Sequence, residues 1–222
     1  MQWEAAPLFA TPLFKLPIAN TAPVRRYFHD RVACEAEARD MRGALSHFHS
    51  RGGLFARHPD LLPLRDTLEA AGSFVYRELM NYTESGPMRV TQAWFNLCGA
   101  GGSQPAHAHT NALLCGTLYL HADADTHLDF FHPADAPTMH AELHDVPSDT
   151  PNPHGLSFHK RRSRIRVETG DCLFWPAQLR HGYSDNRTPD RLTLSFNMVP
   201  RAFNLDYQPF STTEEASPEN TA

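Results

Sequence analysis

The spacing of apolar residues divides the chain into a helical part, up to about residue 80, and a part built of short strands after Pro87. Residues 7–18, PLFATPLFKLPI, are apolar but interrupted by proline, which cannot donate to a β-ladder. They predict an extended entry with an edge strand near Leu13–Ile18. Pro23 suits a first helical turn, and Val24, Phe28 and Val32 recur at helical spacing. This predicts a helix to about His47, ended by Arg51-Gly52-Gly53. A second helix is expected from about Pro63 to Met80, with Leu64, Leu68, Ala71, Phe74, Val75 and Leu79 on one side. Six strands follow, at Arg89–Asn96, Ala112–His121, His127–Phe131, Arg164–Glu168, Cys172–Trp175 and Arg191–Val199, separated by Gly, Pro, Asn and Asp. Short strands after two helices predict a mainly β domain, an antiparallel sandwich or barrel with helical buttresses.

One domain is expected over residues 1–210, with helices at about 23–80 and a barrel at about 88–200. Residues 132–163 hold five prolines and are too long for a hairpin loop, so they read equally as a lid or as a tolerated insertion. The polar, acidic tail, 211–222, is expected to be disordered.

Composition narrows the function classes. The chain has 222 residues and is 41% hydrophobic, enough for a core. A net charge of −5 carries no basic excess, which makes nucleic acid an unlikely partner. No apolar run is long enough to span a bilayer, and no basic segment precedes an apolar one at the N-terminus; a cytoplasmic protein is expected. Cys34, Cys98, Cys115 and Cys172 form no CxxC pair, and three of them lie in apolar runs, as buried thiols do. Fourteen histidines invite a metal hypothesis, but most are expected to be innocent. His29, His47 and His49 fall in the helical stretch, and His132, His140, His144, His154 and His159 in polar segments.

Two other places hold histidines with chemical promise. In His107-Ala108-His109, an extended backbone projects residues i and i+2 to one face, as a chelating pair requires. Farther on, Gly170-Asp171 feeds the apolar strand Cys172–Trp175, Pro176 stops it, and His181 follows five residues later. A third segment, Arg191 to Asn197, alternates Arg191, Thr193, Ser195 and Asn197 with Leu192, Leu194 and Phe196. If the polar face points inward, a buried arginine needs an anion, and a dicarboxylate would supply one.

The order HxH, a long gap, a lone His and an Arg ten residues on resembles the double-stranded β-helix oxygenases that use Fe(II) and 2-oxoglutarate. It is closest to their bacterial and phage branch, which reads roughly H-x-H, five residues, S-G-x-x-Y, then F-P, H and R-x-S-x-S-F-N. The matching stretches are His107-Ala108-His109, Cys115-Gly116-Thr117-Leu118-Tyr119, Trp175-Pro176, His181 and Arg191 to Asn197, with Leu8 to Pro12, Trp94 and Asn96 also similar. The resemblance implies a jelly-roll, cupin-like barrel buttressed by the N-terminal helices. It implies that His107 and His181 bind Fe(II), and that Arg191 binds the distal carboxylate of 2-oxoglutarate, with Thr193, Ser195, Asn96 and Tyr119 in the cosubstrate pocket. It also implies use of O2 and release of succinate and CO2, most commonly with hydroxylation.

The chain departs from the wider superfamily at the third ligand, where Asp or Glu is usual and His109 stands. His109 as ligand, two protein ligands plus water, or closure by a carboxylate such as Asp129 all remain open, with His109 favoured. Cys115 replaces the branch's usual serine. A cupin-type three-histidine dioxygenase without 2-oxoglutarate is the rival enzyme, since Gly101 to His107 fits the opening cupin spacing. A non-catalytic metal- or ligand-binding barrel is the rival from another class. The expected substrate is a small molecule, amino-acid-like or a natural-product intermediate.

Overall fold

The computed structural model describes residues 11–35, 39–41, 44–49, 53–82, 86–133, 162–204 and 209–211. Most of the expected lid, 134–161, and the tail from 212 onward lie outside the described residues, as do Leu8, Phe9 and Ala10.

Apart from a two-stranded ribbon (Ala202–Asn204 with Pro209–Ser211), the strands of the described residues form two antiparallel sheets. Strands β1 (Phe14–Pro17), β2 (Arg39–Met41), β3 (Leu45–Phe48), β4 (Met88–Cys98), β6 (Leu114–His121), β9 (Asp171–Pro176) and β11 (Arg191–Pro200) make a seven-stranded sheet, in the order β1-β9-β6-β11-β4-β3-β2. Strands β5 (Gln104–His107), β7 (His127–Phe131), β8 (Arg162–Arg166) and β10 (His181–Tyr183) make the other, ordered β5-β10-β7-β8. From β4 to β11 the chain therefore gives four strands to each sheet, the arrangement of a jelly roll. All six strands read from the chain's alternation are present, and β1 lies at the sheet edge where its prolines can be tolerated.

Helices α1 (Ala22–Tyr27), α2 (Ala33–Glu35), α3 (Leu54–Arg57) and α4 (Leu62–Phe74) pack on the outer face of the larger sheet. No helix among the described residues is long and apolar enough to cross a membrane. The first expected helix is shorter than its spacing suggested. After α1, a π turn (Phe28–Val32) and α2, the chain becomes a β2–β3 hairpin, and Leu45, Ser46, His47 and Phe48 pair with Cys98, Leu97, Asn96 and Phe95 of β4. The side of β4 not paired with β11 offers a row of backbone partners, and a strand at 45–48 sends Leu45 and Phe48 into separate cores, which a helix could not do.

The second helix is present, but Phe74 and Leu79 are 58% and 52% exposed. Contact runs through Leu68 and Gly72, and Phe74 lies about 200° around the helix from Gly72. Gly72 is the point of closest approach, since a Cβ there would lie 2.6 Å from Met198 Sδ.

Strand β11 separates two cores. Leu192, Leu194 and Phe196 join the helix-facing cluster with Phe95, Leu118 and Phe174. On its other face lies the cluster between the sheets, with Tyr119, Leu128, Phe130 and Trp175. Gly116, directly opposite Phe196 on β6, keeps this strand pairing possible. A Cβ at Gly116 would sit 2.2 Å from Phe196 Cζ and 2.7 Å from the Leu173 carbonyl oxygen. Gly116→Ala is therefore expected to destabilise the fold by about 1–3 kcal/mol through overpacking. Urea unfolding would check this, and a stability equal to the parent's would show that Phe196 moves aside freely.

Candidate metal centre and its adjoining cavity

Backbone pairing brings the two separated histidine segments together. In the smaller sheet His181 of β10 stands directly opposite His107 of β5. Gly182 allows β5 to come this close, because a Cβ there would lie 2.6 Å from the Gln104 carbonyl oxygen. His109 lies just past the end of β5, its backbone N–H donating to the Ala177 carbonyl at 2.9 Å. One potential ligand atom from each of His107, His109 and His181 falls within 4.8 Å of the other two.

Two of these rings are fixed by the backbone. His107 Nδ1 lies 2.9 Å from the Pro105 carbonyl oxygen, and His181 Nδ1 lies 3.0 Å from that of Leu179. A carbonyl only accepts, so each Nδ1 carries a hydrogen, and in the neutral ring that leaves Nε2 as the lone-pair nitrogen, the tautomer a metal ligand needs. Burial, reinforced by the charges of His107 and His109 and opposed by the Leu179 carbonyl, pushes the His181 imidazole down to about 3. Burial and the neighbouring His107 bring His109 down to about 4. Both are neutral near pH 7. Three imidazoles this close together suit a borderline divalent metal such as Fe(II).

Beside the histidines lies a buried cation. Arg191 is 3% exposed, and its guanidinium carbon sits 3.6 Å from the centre of the Tyr183 ring and 5.5 Å from that of Tyr119. Its Nη2 donates at 3.4 Å to the Tyr119 hydroxyl and the His127 carbonyl, both long contacts, and its Nε–H has no partner among the described residues. No carboxylate among the described residues forms an ion pair with it. Nearby, Asn96 Nδ2 donates to Thr193 Oγ1 at 3.2 Å and to Ser195 Oγ at 3.0 Å, and Thr117 and Ser195 share a 3.0 Å hydroxyl contact.

The three histidines, Arg191, Thr193 and Ser195 line one cavity between the sheets, as do Asn96 and Tyr119. The polar face of β11 is thus the inner one. Asp129 is elsewhere engaged. It forms a two-point ion pair with Arg164 at 2.8 and 2.9 Å, and it is not part of the histidine cluster. Burial raises its pKa, but the Arg164 hydrogen bonds and charge, with His127 and Arg162, outweigh this and hold the carboxyl below its ordinary range. Cys98, Cys115 and Cys172 are buried thiols; Cys115 lines the cavity, and its Sγ–H donates to Asn197 Oδ1 at 3.2 Å.

Several cavity neighbours escaped the sequence reading. Tyr183 stacks on Arg191, and its i, i+2 relation to His181 was the available signal. Trp175 packs edge-on against His181 with ring centres 4.7 Å apart. His47 and His49, assigned above to a helix, lie instead on or just after β3, and His49 stacks on Trp94.

With this geometry in hand, residues 92–197 match the family model described as “Putative 2OG-Fe(II) oxygenase”. A comparison with curated proteins gives no match. Among solved structures, the non-heme α-ketoglutarate-dependent epimerase SnoN from nogalamycin biosynthesis is 15% identical, covering 88% of this chain and 82% of its own, with a TM-score of 0.60. A 2OG-Fe(II) oxygenase family oxidoreductase from Burkholderia pseudomallei is 11% identical over 84% of this chain and 83% of that one, with a TM-score of 0.53. A Pseudomonas putida prolyl-4-hydroxylase is 13% identical over 84% and 92% respectively, with a TM-score of 0.51. These likenesses establish the shared fold.

The lowered histidine values set a pH dependence. Below the ordinary value of 6.5 the unfolded chain takes up protons that His109 and His181 resist in the folded state. Their contribution to stability is thus complete above about pH 6.5 and declines as the pH falls toward 4. For buried His181 alone the loss at pH 5.5 is on the order of 1 kcal/mol. Urea unfolding of metal-free protein at pH 7.5, 6.5 and 5.5 measures it; constant stability would mean that the folded imidazoles protonate freely.

Proposed function

We propose that this chain is a 2OG-Fe(II) oxygenase, the family whose model residues 92–197 match, in which His107, His109 and His181 hold Fe(II) while Arg191 anchors 2-oxoglutarate. The carrying observation is a buried guanidinium, without a carboxylate partner among the described residues, in the same cavity as three clustered imidazoles. The donor set fits the metal, and the cation fits a dicarboxylate. Fe(II) bound there would supply oxidative decarboxylation of 2-oxoglutarate by O2, yielding succinate and CO2 and oxidising a substrate, in the simplest case by hydroxylation.

The protein's own residues divide the remaining work. Arg191 presents its Nε–H to the distal carboxylate of the cosubstrate, with Tyr183 holding the guanidinium plane from behind. Asn96 orients the Thr193 and Ser195 hydroxyls, which add hydrogen bonds along the same pocket, and Tyr119 closes its inner end. His109 completes the ligand set in place of a carboxylate, leaving the metal site one unit more positive than a two-histidine, one-carboxylate site. The flanking aromatic residues Trp94 and Trp175 keep water from the ligands. A small-molecule substrate, amino-acid-like or a natural-product intermediate, suits this narrow interior; SnoN, of like fold, has been solved with nogalamycin RO.

Anaerobic titration tests the assignment. Protein with Fe(II) and 2-oxoglutarate should develop a visible metal-to-ligand charge-transfer band. Iron binding without the band would favour a cupin-type dioxygenase, and no iron binding would favour a non-catalytic module. Arg191→Ala should weaken 2-oxoglutarate binding at least about 30-fold, roughly 2 kcal/mol, while sparing iron. Equal loss of both ligands would remove Arg191 from this role.

A companion pair of variants addresses the third ligand. His109→Ala should impair Fe(II) binding, and His109→Asp should preserve or strengthen it. Normal iron affinity in the Ala variant would exclude His109 from the metal.

A further inference from the structure

The three histidines are not held alike. His107 and His181 each have Nδ1 tied to a backbone carbonyl, whereas no hydrogen bond fixes the His109 ring among the described residues. What His109 does have is ring contact. Its plane is within 4° of the His181 plane at 5.3 Å between centres, and on another side it stacks on Trp94 at 5.8 Å and 28°. Trp94 is in turn covered by His49, at 5.4 Å and 21°, and His49 by His47, at 6.0 Å and 25°.

These rings meet because of strand register. In the β3–β4 pairing His47 stands opposite Asn96, a cavity-lining residue, and Phe48 stands opposite Phe95 in the helix-facing core. Leu45 faces the inter-sheet core. The cavity face of β3 therefore continues that of β4, and the next residue on that face, His49, reaches Trp94. Trp94 is 8% exposed, while His49 is exposed and forms its outer cover.

We propose that His49, acting through Trp94, is a positioning residue for His109, so that the hairpin outside residues 92–197 forms part of the metal centre. This rests on His109 being a metal ligand. A stacked wall restricts the rotation of a ring that lacks a hydrogen-bonded anchor, and it lowers the entropy lost when that ring binds a metal. The His109 position, where the chain departs from the usual carboxylate, is thus supported by a strand that lies beyond the eight-stranded jelly roll.

Titration with Co(II) alone, read by calorimetry and by the visible ligand-field bands, tests this on the full chain. His49→Ala should weaken Co(II) binding about 3- to 10-fold, the range one aromatic contact provides. His49→Phe, which keeps a flat ring and removes the nitrogens, should restore affinity and band shape. In a His109→Ala background, His49→Ala should have no further effect, because a residue acting only through His109 cannot act without it.

Parental affinity in His49→Ala would overturn the proposal, as would an equal loss in both backgrounds or failure of the Phe variant to rescue. If His109→Ala alone binds Co(II) normally, the three-histidine assignment falls first. A far-UV spectrum and thermal melt of each variant separate these effects from misfolding.

Discussion

Burial of a guanidinium between two apolar sheets is the constraint around which this molecule is arranged. Arg191 cannot be left in that interior without compensation, since an isolated charge there is strongly disfavoured. The structure gives it two tyrosine rings and two long hydrogen bonds, but no carboxylate among the described residues. Such a partial solution suits the anion-anchoring role proposed for it. The aromatic contacts keep the guanidinium in place meanwhile, and its position at the start of β11 fixes its distance from the histidines.

The same strand shows how an active interior and a stable fold coexist. Its alternation puts leucines and Phe196 against the helices and puts polar side chains into the cavity. The helix-facing core contributes stability without competing for space with the site. Close contact on both sides depends on absent side chains: Gly116 admits Phe196, and Gly182 admits β5 beside His181. On the polar cavity face Asn96 Nδ2 serves Thr193 and Ser195, and Ser195 shares a hydroxyl contact with Thr117, while Arg191 Nε, Asn96 Oδ1 and the indole N–H groups of Trp94 and Trp175 are buried without a partner among the described residues.

The three histidines proposed as metal ligands rest on unequal supports. Directly paired strands hold His107 and His181, and backbone carbonyls orient their rings. His109 sits beyond the strand end and is contained by stacked rings drawn from β4 and from the residue after β3. In the proposed site three imidazole ligands would leave the metal more positive than a carboxylate-bearing set, which would favour binding of the dianionic cosubstrate beside it.

The sequence by itself determined the strand-rich part of the fold, because period-two alternation reports which face of a strand is buried without reference to its partners. It also marked His107, His109, His181 and Arg191, since motif spacing and alternation are local properties of the chain. Tertiary structure decided what depends on pairing. Residues 45–48 follow a locally helical stretch, yet they become a strand because the edge of β4 supplies hydrogen bonds and two cores accept the alternating side chains. That change moved His47 and His49 from an expected helix to a run of ring contacts that continues through Trp94 to His109. Asp129, chemically a plausible ligand in the sequence, was taken out of the cluster by Arg164 directly across the ladder. Register, which no single segment encodes, made both choices.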